Sequence, residues 1–332
     1  MGGNALKSQG IDSVRLNAAE YFPEVEKVVG DLSTRFGVEL KVVPAYRTKE
    51  SFGDADILVS STPEAWDKMT RHLKNTTTHY SNGKVFSYGH DMGGRIFQVD
   101  LIYTGSTPEQ MSTNYDYFGF NDLGNLVGRL AHLHGFKYGH KGLFYVLRDP
   151  DDGQNVVAEL VASTDTREIH KFLGLDHSVF QKGFENLEDI FKWVEKSKFF
   201  HPDIYLLENV NAVARIRDIK RSTYTKFLEW NKSLDASKYL KYEGDAKKLL
   251  RQVGLFTFLS KNEYFGNAYF KAMESFLRMK LSKQFLNGDI VKDLTGKSGK
   301  ELGILMKELK EKFPVSVILD DPKAVSDYLK SL

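Results

Sequence analysis

The spacing of apolar residues predicts strands in the first half of the chain. Residues 38–43 and 55–60 are short and nearly continuous apolar runs, which are typical of buried strands. Asn82 and Gly83 separate two runs in which apolar and polar residues alternate, and this arrangement favours a β-hairpin. Residues 94–103 alternate in the same way and are expected to form a further strand.

Helical periodicity is also present in this half. Residues 17–32 place five apolar side chains on one face of a helix: Tyr21, Val25, Val28, Val29 and Leu32. Residues 61–73 predict a second helix, because Thr62 suits the N-cap and Pro63 suits the first turn. Three later elements are expected: a helix over 121–134 and strands over 142–147 and 156–162.

No strand pattern recurs after about residue 165. The remainder consists of amphipathic helical segments with breaks at Gly174, Gly183, Pro202, Gly244 and Gly288. The expected fold class is therefore α+β, with a mixed β-sheet in an N-terminal domain over residues 1–165 and a helical domain over 166–332. The length of 332 residues agrees with two domains.

Composition narrows the class of protein. With 41% hydrophobic and 13% aromatic residues, the chain is not an intrinsically disordered one. No apolar run approaches the ~20 residues of a membrane span, and the first residues lack the basic-then-apolar order of a secretory signal. The absence of Cys excludes disulfides and thiolate metal sites, so we expect a cytoplasmic protein without a membrane partner. A net charge of +2 is too small to identify a nucleic-acid partner, which would need a local basic patch.

Two carboxylates at the start of a predicted strand are the most informative feature of the chain. Asp54 and Asp56 are two residues apart and directly precede an apolar run. In an extended chain such residues project to the same side. Like charges held together in this way repel each other unless a cation lies between them. Paired carboxylates suit Mg²⁺, which leaves ligand positions open for substrate phosphates.

Asp100 provides a third carboxylate. It is the one acidic residue in the apolar run of residues 97–103, where an unpaired carboxylate is costly. If its strand lies beside that of Asp54 and Asp56, the three side chains are expected to hold two Mg²⁺ ions for an in-line phosphoryl displacement. The alternative is that the doublet ends a turn after Gly53 and that Asp100 pairs with a lysine.

The pattern of Gly53, Asp54 and Asp56 with a later Val-Asp on a strand resembles the DNA polymerase beta type nucleotidyltransferase superfamily. The chain is most similar to phage-encoded members, which share three further segments: Gly2-Gly3-Asn4, Arg15-Leu16-Asn17 and residues 136–143. This resemblance implies that the N-terminal domain is a nucleotidyltransferase domain. It also implies that Asp54, Asp56 and Asp100 are catalytic and metal-binding and that an NTP is the substrate. The localisation it implies is the host cytoplasm.

One segment departs from the superfamily pattern. Pro44 and Ala45 stand where its members usually carry Gly-Ser, which grips the outer phosphates of the nucleotide. Basic and hydroxyl side chains follow at once and are expected to make these phosphate contacts instead. The expected nucleotide-binding loop comprises Ala45, Arg47, Lys49, Ser51 and Gly53. Arg47 and Lys49 are alternatively solvated loop charges.

Two segments suggest an RNA acceptor. Residues 286–312 resemble the tail helices of CCA-adding tRNA nucleotidyltransferases, with Lys297 and Lys300 in a glycine-rich turn that suits phosphates. Residues 215–230 predict a helix with Ile216, Ile219, Thr223, Phe227 and Trp230 on its core face. Its other faces carry a basic set with an exposed tyrosine, which suits RNA: Arg217, Lys220, Arg221 and Tyr224. A plain helical hairpin and an ordinary charged solvent face are the alternatives.

Together these features predict a Mg²⁺-dependent nucleotidyltransferase that moves a nucleoside monophosphate from an NTP to an acceptor hydroxyl. The favoured acceptor is a tRNA-like RNA 3′ end. The alternatives are nucleotidylation of a protein or small molecule, and a catalytically silent nucleic-acid-binding or virion protein.

Overall fold

The computed structural model describes residues 3–332, so Met1 and Gly2 of the Gly-Gly-Asn start lie outside the described residues. The chain divides into two compact units. Unit 1 comprises the chain up to Tyr145 together with Val161–Thr257, and unit 2 comprises Val146–Leu160 with Phe258–Leu332. From the sequence we expected a catalytic domain over residues 1–165 and an acceptor-binding helical domain over residues 166–332. This division of roles stays a prediction.

Ten strands form within residues 3–332, and none begins after Ser163. They are β1 (Leu16–Asn17), β2 (Glu39–Val42), β3 (Ser51–Phe52), β4 (Asp54–Ser60), β5 (His79–Asn82), β6 (Val85–Asp91), β7 (Ile96–Gly105), β8 (Phe136–Gly139), β9 (Gly142–Arg148) and β10 (Val156–Ser163). The short strands β1, β3 and β8 were not expected from the sequence, because runs of two to four residues carry too little periodicity.

The main sheet has the order β2-β4-β7-β6-β5. Strands β4 and β7 are parallel, and every other neighbouring pair is antiparallel. The expected mixed β-sheet is therefore confirmed, as is the hairpin at Asn82 and Gly83, where β5 turns into β6. The remaining strands form a two-stranded β1-β3 sheet and a three-stranded sheet in the order β10-β9-β8.

Fourteen α-helices lie within the described residues. They are α1 (Ala18–Phe36), α2 (Pro63–Thr76), α3 (Pro108–Leu133), α4 (Thr166–Phe172), α5 (His177–Lys182), α6 (Leu187–Glu195), α7 (Ala212–Asp218), α8 (Ser222–Asn231), α9 (Gly244–Lys261), α10 (Glu263–Ser282), α11 (Gly288–Thr295), α12 (Gly299–Lys312), α13 (Val315–Asp320) and α14 (Pro322–Lys330). No helix of this part of the chain is both long and apolar enough to cross a membrane.

Two helix predictions need correction. The helix expected over 121–134 begins earlier, at Pro108, where Thr107 forms a capping box, and it is interrupted at residues 119–122. The helix expected over 215–230 is two helices, α7 and α8, so its apolar stripe does not form. Ile216 and Ile219 are 61% and 56% exposed rather than buried, while Phe227 lies in the core.

The alternation of side chains along β4 and β7 decides which residues face the core. Ala55, Ile57 and Val59 pack with α1 and α2 in the main apolar cluster, as do Phe97, Val99 and Leu101 of β7. The other face of these strands buries Leu58 and Ile102 beside Met111 of α3. Because the side-chain period of a strand is two, Asp54, Asp56 and Asp100 lie on this α3 face.

Unit 2 has an apolar core of its own. Helices α11 to α14 bury one cluster of side chains: Leu286, Val291, Leu305, Leu309, Phe313, Ile318, Val325 and Leu329. On α10 the Lys280 ammonium contacts the carboxylate of Asp149 at 2.8 Å, which ties this helix to the β9–β10 turn.

Candidate active site

The register of two parallel strands brings the three predicted carboxylates to one place. Asp56 of β4 is paired directly with Asp100 of β7, and Asp54 is paired with Gln98. In-register residues of neighbouring strands project to the same face about 4.8 Å apart. Asp100 therefore lies beside Asp54 and Asp56. Together with Gln98, these residues form two pairs of polar side chains on one face of the sheet, which we call the carboxylate array.

Several donors hold this array. The amide of Gly3 donates to Asp54 Oδ2 at 2.8 Å. Gln98 donates from Nε2 to both carboxylate oxygens of Asp100, at 2.9 and 3.1 Å. The hydroxyl of Ser87, which is paired with Asp100 across β6 and β7, also donates to it. Asp100 is thus held by neutral hydrogen bonds rather than by the lysine of the alternative interpretation.

The pKa values reflect crowded negative charge. The pKa of Asp56 is raised well above its usual range, first by loss of hydration and then by the carboxylates of Asp54 and Asp100. Because the Asp56 side chain is exposed to solvent, the neighbouring carboxylates raise this pKa more than the loss of hydration does. Burial raises the pKa of Asp100 to about 6, against the opposing effect of the Ser87 and Gln98 hydrogen bonds. Such a cluster favours a bound cation.

Lys49 is the cation nearest to the acids among the predicted loop residues. Burial lowers its pKa, while the charges of Asp54 and Asp56 oppose that change. Its ammonium lies 4.6 Å from the centroid of the Phe52 ring and 3.5 Å from Asn121 Oδ1. It is therefore half-buried beside the carboxylate array and close enough to interact with Asp54 and Asp56.

The other predicted loop residues are held by protein contacts. The guanidinium of Arg47 donates to the Lys182 carbonyl and lies 3.4 Å from Glu185. Ser51 accepts a hydrogen bond of 2.9 Å from Arg15 Nε. The remaining two offer little side chain: Ala45 packs against the main core and Gly53 is buried.

The interruption of α3 lies beside the site and was not expected from the sequence. Phe120, Asn121 and Asp122 all have positive φ, at 57°, 54° and 63°. Three consecutive non-glycine residues in this region are strained, and such strain gathers at functional sites. The Phe120 amide donates to the Pro44 carbonyl at 2.7 Å, and Asp122 forms an ion pair with Arg221.

The carboxylate oxygens of Asp54, Asp56 and Asp100 are suitable ligands for a hard divalent cation. In this structure, however, the three side chains do not converge on a single point. Within residues 3–332, no three side chains of the His, Cys, Asp or Glu types are close enough together to form a ready metal site. The carboxylates are nevertheless on one face, and two of them are directly in register. Among the described residues, Lys49 provides a positive charge that offsets part of the repulsion at Asp56.

The basic face expected to meet RNA is only partly available. Tyr224, expected to be exposed, is 1% exposed and donates its hydroxyl to the Tyr205 carbonyl at 2.6 Å, so it has no free ring face for a base. The break between α7 and α8 turns it into the core. Arg217 pairs with the buried Asp218 at 2.8 Å, whereas Lys220 is exposed.

In unit 2, the Gly-rich turn joins α11 and α12 as expected. Lys300 is exposed in the first turn of α12, and Lys297 is half-buried. Both lysines lie close to the turn, so the positive charge predicted there is present on the surface of this unit.

Comparison with known proteins adds no further assignment. No family model matches this chain, and no curated protein is significantly similar to it. The geometry of the three carboxylates and their surroundings is therefore the main indication of function.

Proposed function

We propose that this chain is a Mg²⁺-dependent nucleotidyltransferase, which transfers a nucleoside monophosphate from an NTP to an acceptor hydroxyl. The observation that carries the proposal is the direct pairing of Asp56 with Asp100 on parallel strands, with Asp54 on the same face. A mixed sheet presenting two strand acids and a third on the neighbouring strand also fits the resemblance to the polymerase beta type superfamily.

The proposed roles follow from position. Asp54 and Asp56 would hold both metal ions, and Asp100 would hold the ion on the acceptor side. Bound Mg²⁺ would neutralise charge on the phosphates and align the attacking and leaving oxygens. Asp100, whose pKa is raised to about 6 by burial, is suited to orient the acceptor hydroxyl and to accept its proton.

Lys49 would contact the phosphates of the NTP. Its ammonium is close enough to the acids to be influenced by their charge and remains half-exposed. Lysine acts there as a point charge and needs no fixed fork geometry. In the superfamily, a Gly-Ser pair contacts the phosphates, and this chain has Pro44 and Ala45 at that place. Lys49 would make part of the missing contact.

The acceptor that we favour is an RNA 3′ end. In unit 1, the exposed Lys220 supports a contact with phosphates, and Arg217 and Arg221 would have to make such a contact while paired with Asp218 and Asp122. In unit 2, Lys297 and Lys300 support a separate phosphate contact. The burial of Tyr224 removes the stacking part of that expectation. A protein or small-molecule acceptor is the alternative within enzymes.

The test is incubation with each α-labelled NTP, Mg²⁺ and tRNA trimmed at its 3′ end. We expect label on the RNA from the wild type and a loss of at least ~100-fold for Asp56→Asn, because one carboxylate of the metal-binding array is removed. Asp67→Asn is the matched control, since Asp67 is an exposed aspartate of α2 away from the array.

Label on the protein itself or on an added small molecule would replace the RNA acceptor and keep the chemistry. Absence of label with all four NTPs and all three acceptor classes would contradict the enzymatic proposal and favour a silent nucleic-acid-binding protein.

A further inference from the structure

The segment of residues 3–9, which includes Gly3 and Asn4 of the Gly-Gly-Asn start, lies directly against the carboxylate array. Gly3 has φ of +84°, and a Cβ placed there would lie 2.2 Å from the carbonyl oxygen of Gly53. That distance is far inside van der Waals contact with rigid backbone, so only glycine fits. The close approach brings the Gly3 amide to 2.8 Å from Asp54 Oδ2.

A second contact of the same segment reaches Asp100 through one side chain. The amide of Ala5 donates to Gln98 Oε1 at 2.8 Å. This acceptor contact fixes which end of the Gln98 amide faces the site, because Oε1 is occupied by Ala5 and Nε2 is left to donate to Asp100. Gln98 is 1% exposed and therefore has no water with which to exchange these partners.

Residues 3–9 are held in place by burial and by backbone hydrogen bonds, so they can fix the orientation of the side chains that they contact. Leu6 is completely buried, and its Cδ1 would be 3.5 Å from a Cβ at Gly89 of β6. The segment ends at Gly10, whose amide bonds back to the Lys7 carbonyl at 3.0 Å, and the Ile11 amide bonds to the Leu6 carbonyl at 3.2 Å.

We propose that residues 3–9 act as a clamp that sets the orientation of Asp54 and Asp100 for divalent-cation binding, with Gly3 and Gln98 as its positioning residues. This inference rests on the proposed function, because it concerns the metal affinity of the same site. The Gly3 amide occupies Oδ2 of Asp54, and the neighbouring Asp56 side chain is exposed to solvent. Partners that orient metal ligands typically contribute about 10- to 100-fold to metal affinity.

The chain offers a matched pair of variants. Gly3→Ala introduces both the strain of a positive φ and the overlap with Gly53. Gly10→Ala introduces the same kind of strain, at φ of +77°, but its Cβ would meet nothing within 4 Å. The difference in Mn²⁺ affinity between Gly3→Ala and Gly10→Ala therefore measures the effect of the close contact between Gly3 and Gly53, separately from backbone strain. Gln98→Met is the second test variant, since it keeps the volume of the side chain and removes its hydrogen bonds with Ala5 and Asp100.

The experiment measures Mn²⁺ affinity by calorimetry and backbone hydrogen exchange over residues 3–11 in wild type and the three variants. We expect Gly3→Ala and Gln98→Met to weaken Mn²⁺ binding at least ~10-fold and to lose exchange protection in the segment. Gly10→Ala should keep Mn²⁺ affinity within ~3-fold of wild type.

The outcomes separate the two proposals. Wild-type Mn²⁺ binding that is unchanged in Gly3→Ala and Gln98→Met would overturn the clamp and leave the proposed function standing. Full protection of residues 3–11 in Gly3→Ala would overturn it as well, because the segment would then tolerate the Cβ. A wild-type protein that binds no Mn²⁺ would refute the metal-dependent function, and the clamp would fall with it.

Discussion

At the scale of single residues, the candidate site is governed by three carboxylates with one nearby lysine to balance them. Asp100 gives the clearest consequence, since burial raises its pKa from 3.8 to about 6. A group whose folded-state pKa lies above its unfolded value contributes stability that is complete below the unfolded pKa. This contribution is lost as the pH rises through the folded pKa.

The Asp100→Asn variant tests this charge directly. In the presence of a chelator, the free energy of unfolding of the wild type should fall between about pH 4 and pH 7 relative to the variant. We expect the free energy of unfolding to change by about 1–2 kcal/mol, because solvent around the partly exposed side chain reduces the effect of the pKa shift. Denaturant unfolding at a series of pH values measures it.

The control for this measurement is again Asp67→Asn, which should follow the wild-type pH profile. A constant difference between wild type and Asp100→Asn across the whole pH range would contradict the raised pKa. The same variant should be inactive in label transfer, so gain of stability and loss of activity are expected together.

Some residues of the candidate site could be predicted from the sequence, and others could not. The doublet and Asp100 could be found because acids at strand positions break an otherwise apolar pattern. Gly3 and Gln98 could not be assigned a role in this way: Gly3 acts through its backbone, and Gln98 is an uncharged residue whose partner is more than ninety positions away. The exposure of Tyr224 was predicted wrongly because it depended on one continuous helix.

At the scale of elements, the interruption of α3 connects the site with the helices beyond it. Asn121 contacts Lys49, and Asp122 pairs with Arg221 at the start of α8. The non-helical stretch begins at Gly119, but an isolated glycine within a helical pattern does not by itself predict a break. The three residues with positive φ that follow it are Phe, Asn and Asp, and none of them is proline or glycine. Periodicity therefore predicted only the part of the helix that follows the break.

Substitution at Asn121 tests whether this strained geometry is populated in solution. With φ of 54°, Asn121→Ala should be less stable than Asn121→Gly by about 1 kcal/mol, since alanine is disfavoured in the left-handed region. Thermal or denaturant unfolding of the two variants provides the comparison.

The exposed Asn75 of α2 is the matched control. In a regular helix the order reverses, so Asn75→Gly should be the less stable variant by a similar amount. If Ala and Gly rank at position 121 as they do at position 75, residues 119–122 are helical in solution and the proposed link between α3 and the acids is lost.

At the scale of the whole molecule, the classes of elements follow from the sequence more directly than the grouping of these elements into compact units. Strand-rich and helix-rich regions follow from hydrophobic period, and the mixed sheet was expected. The compact units are not contiguous in sequence, however: Val146–Leu160 belongs with the last helices, while Val161–Thr257 belongs with the main sheet. Such grouping depends on contacts between distant segments, which periodicity does not contain.

The proposed function requires that three aspartates on two parallel strands form a divalent-cation site. Anomalous diffraction from crystals soaked in Mn²⁺ and a non-hydrolysable NTP analogue tests it most directly. We expect two manganese peaks about 3.5–4 Å apart, both about 2.2 Å from oxygens of Asp54 and Asp56, with Asp100 on one of them. Manganese bound elsewhere, or three carboxylates that stay apart with no ion between them, would contradict the account.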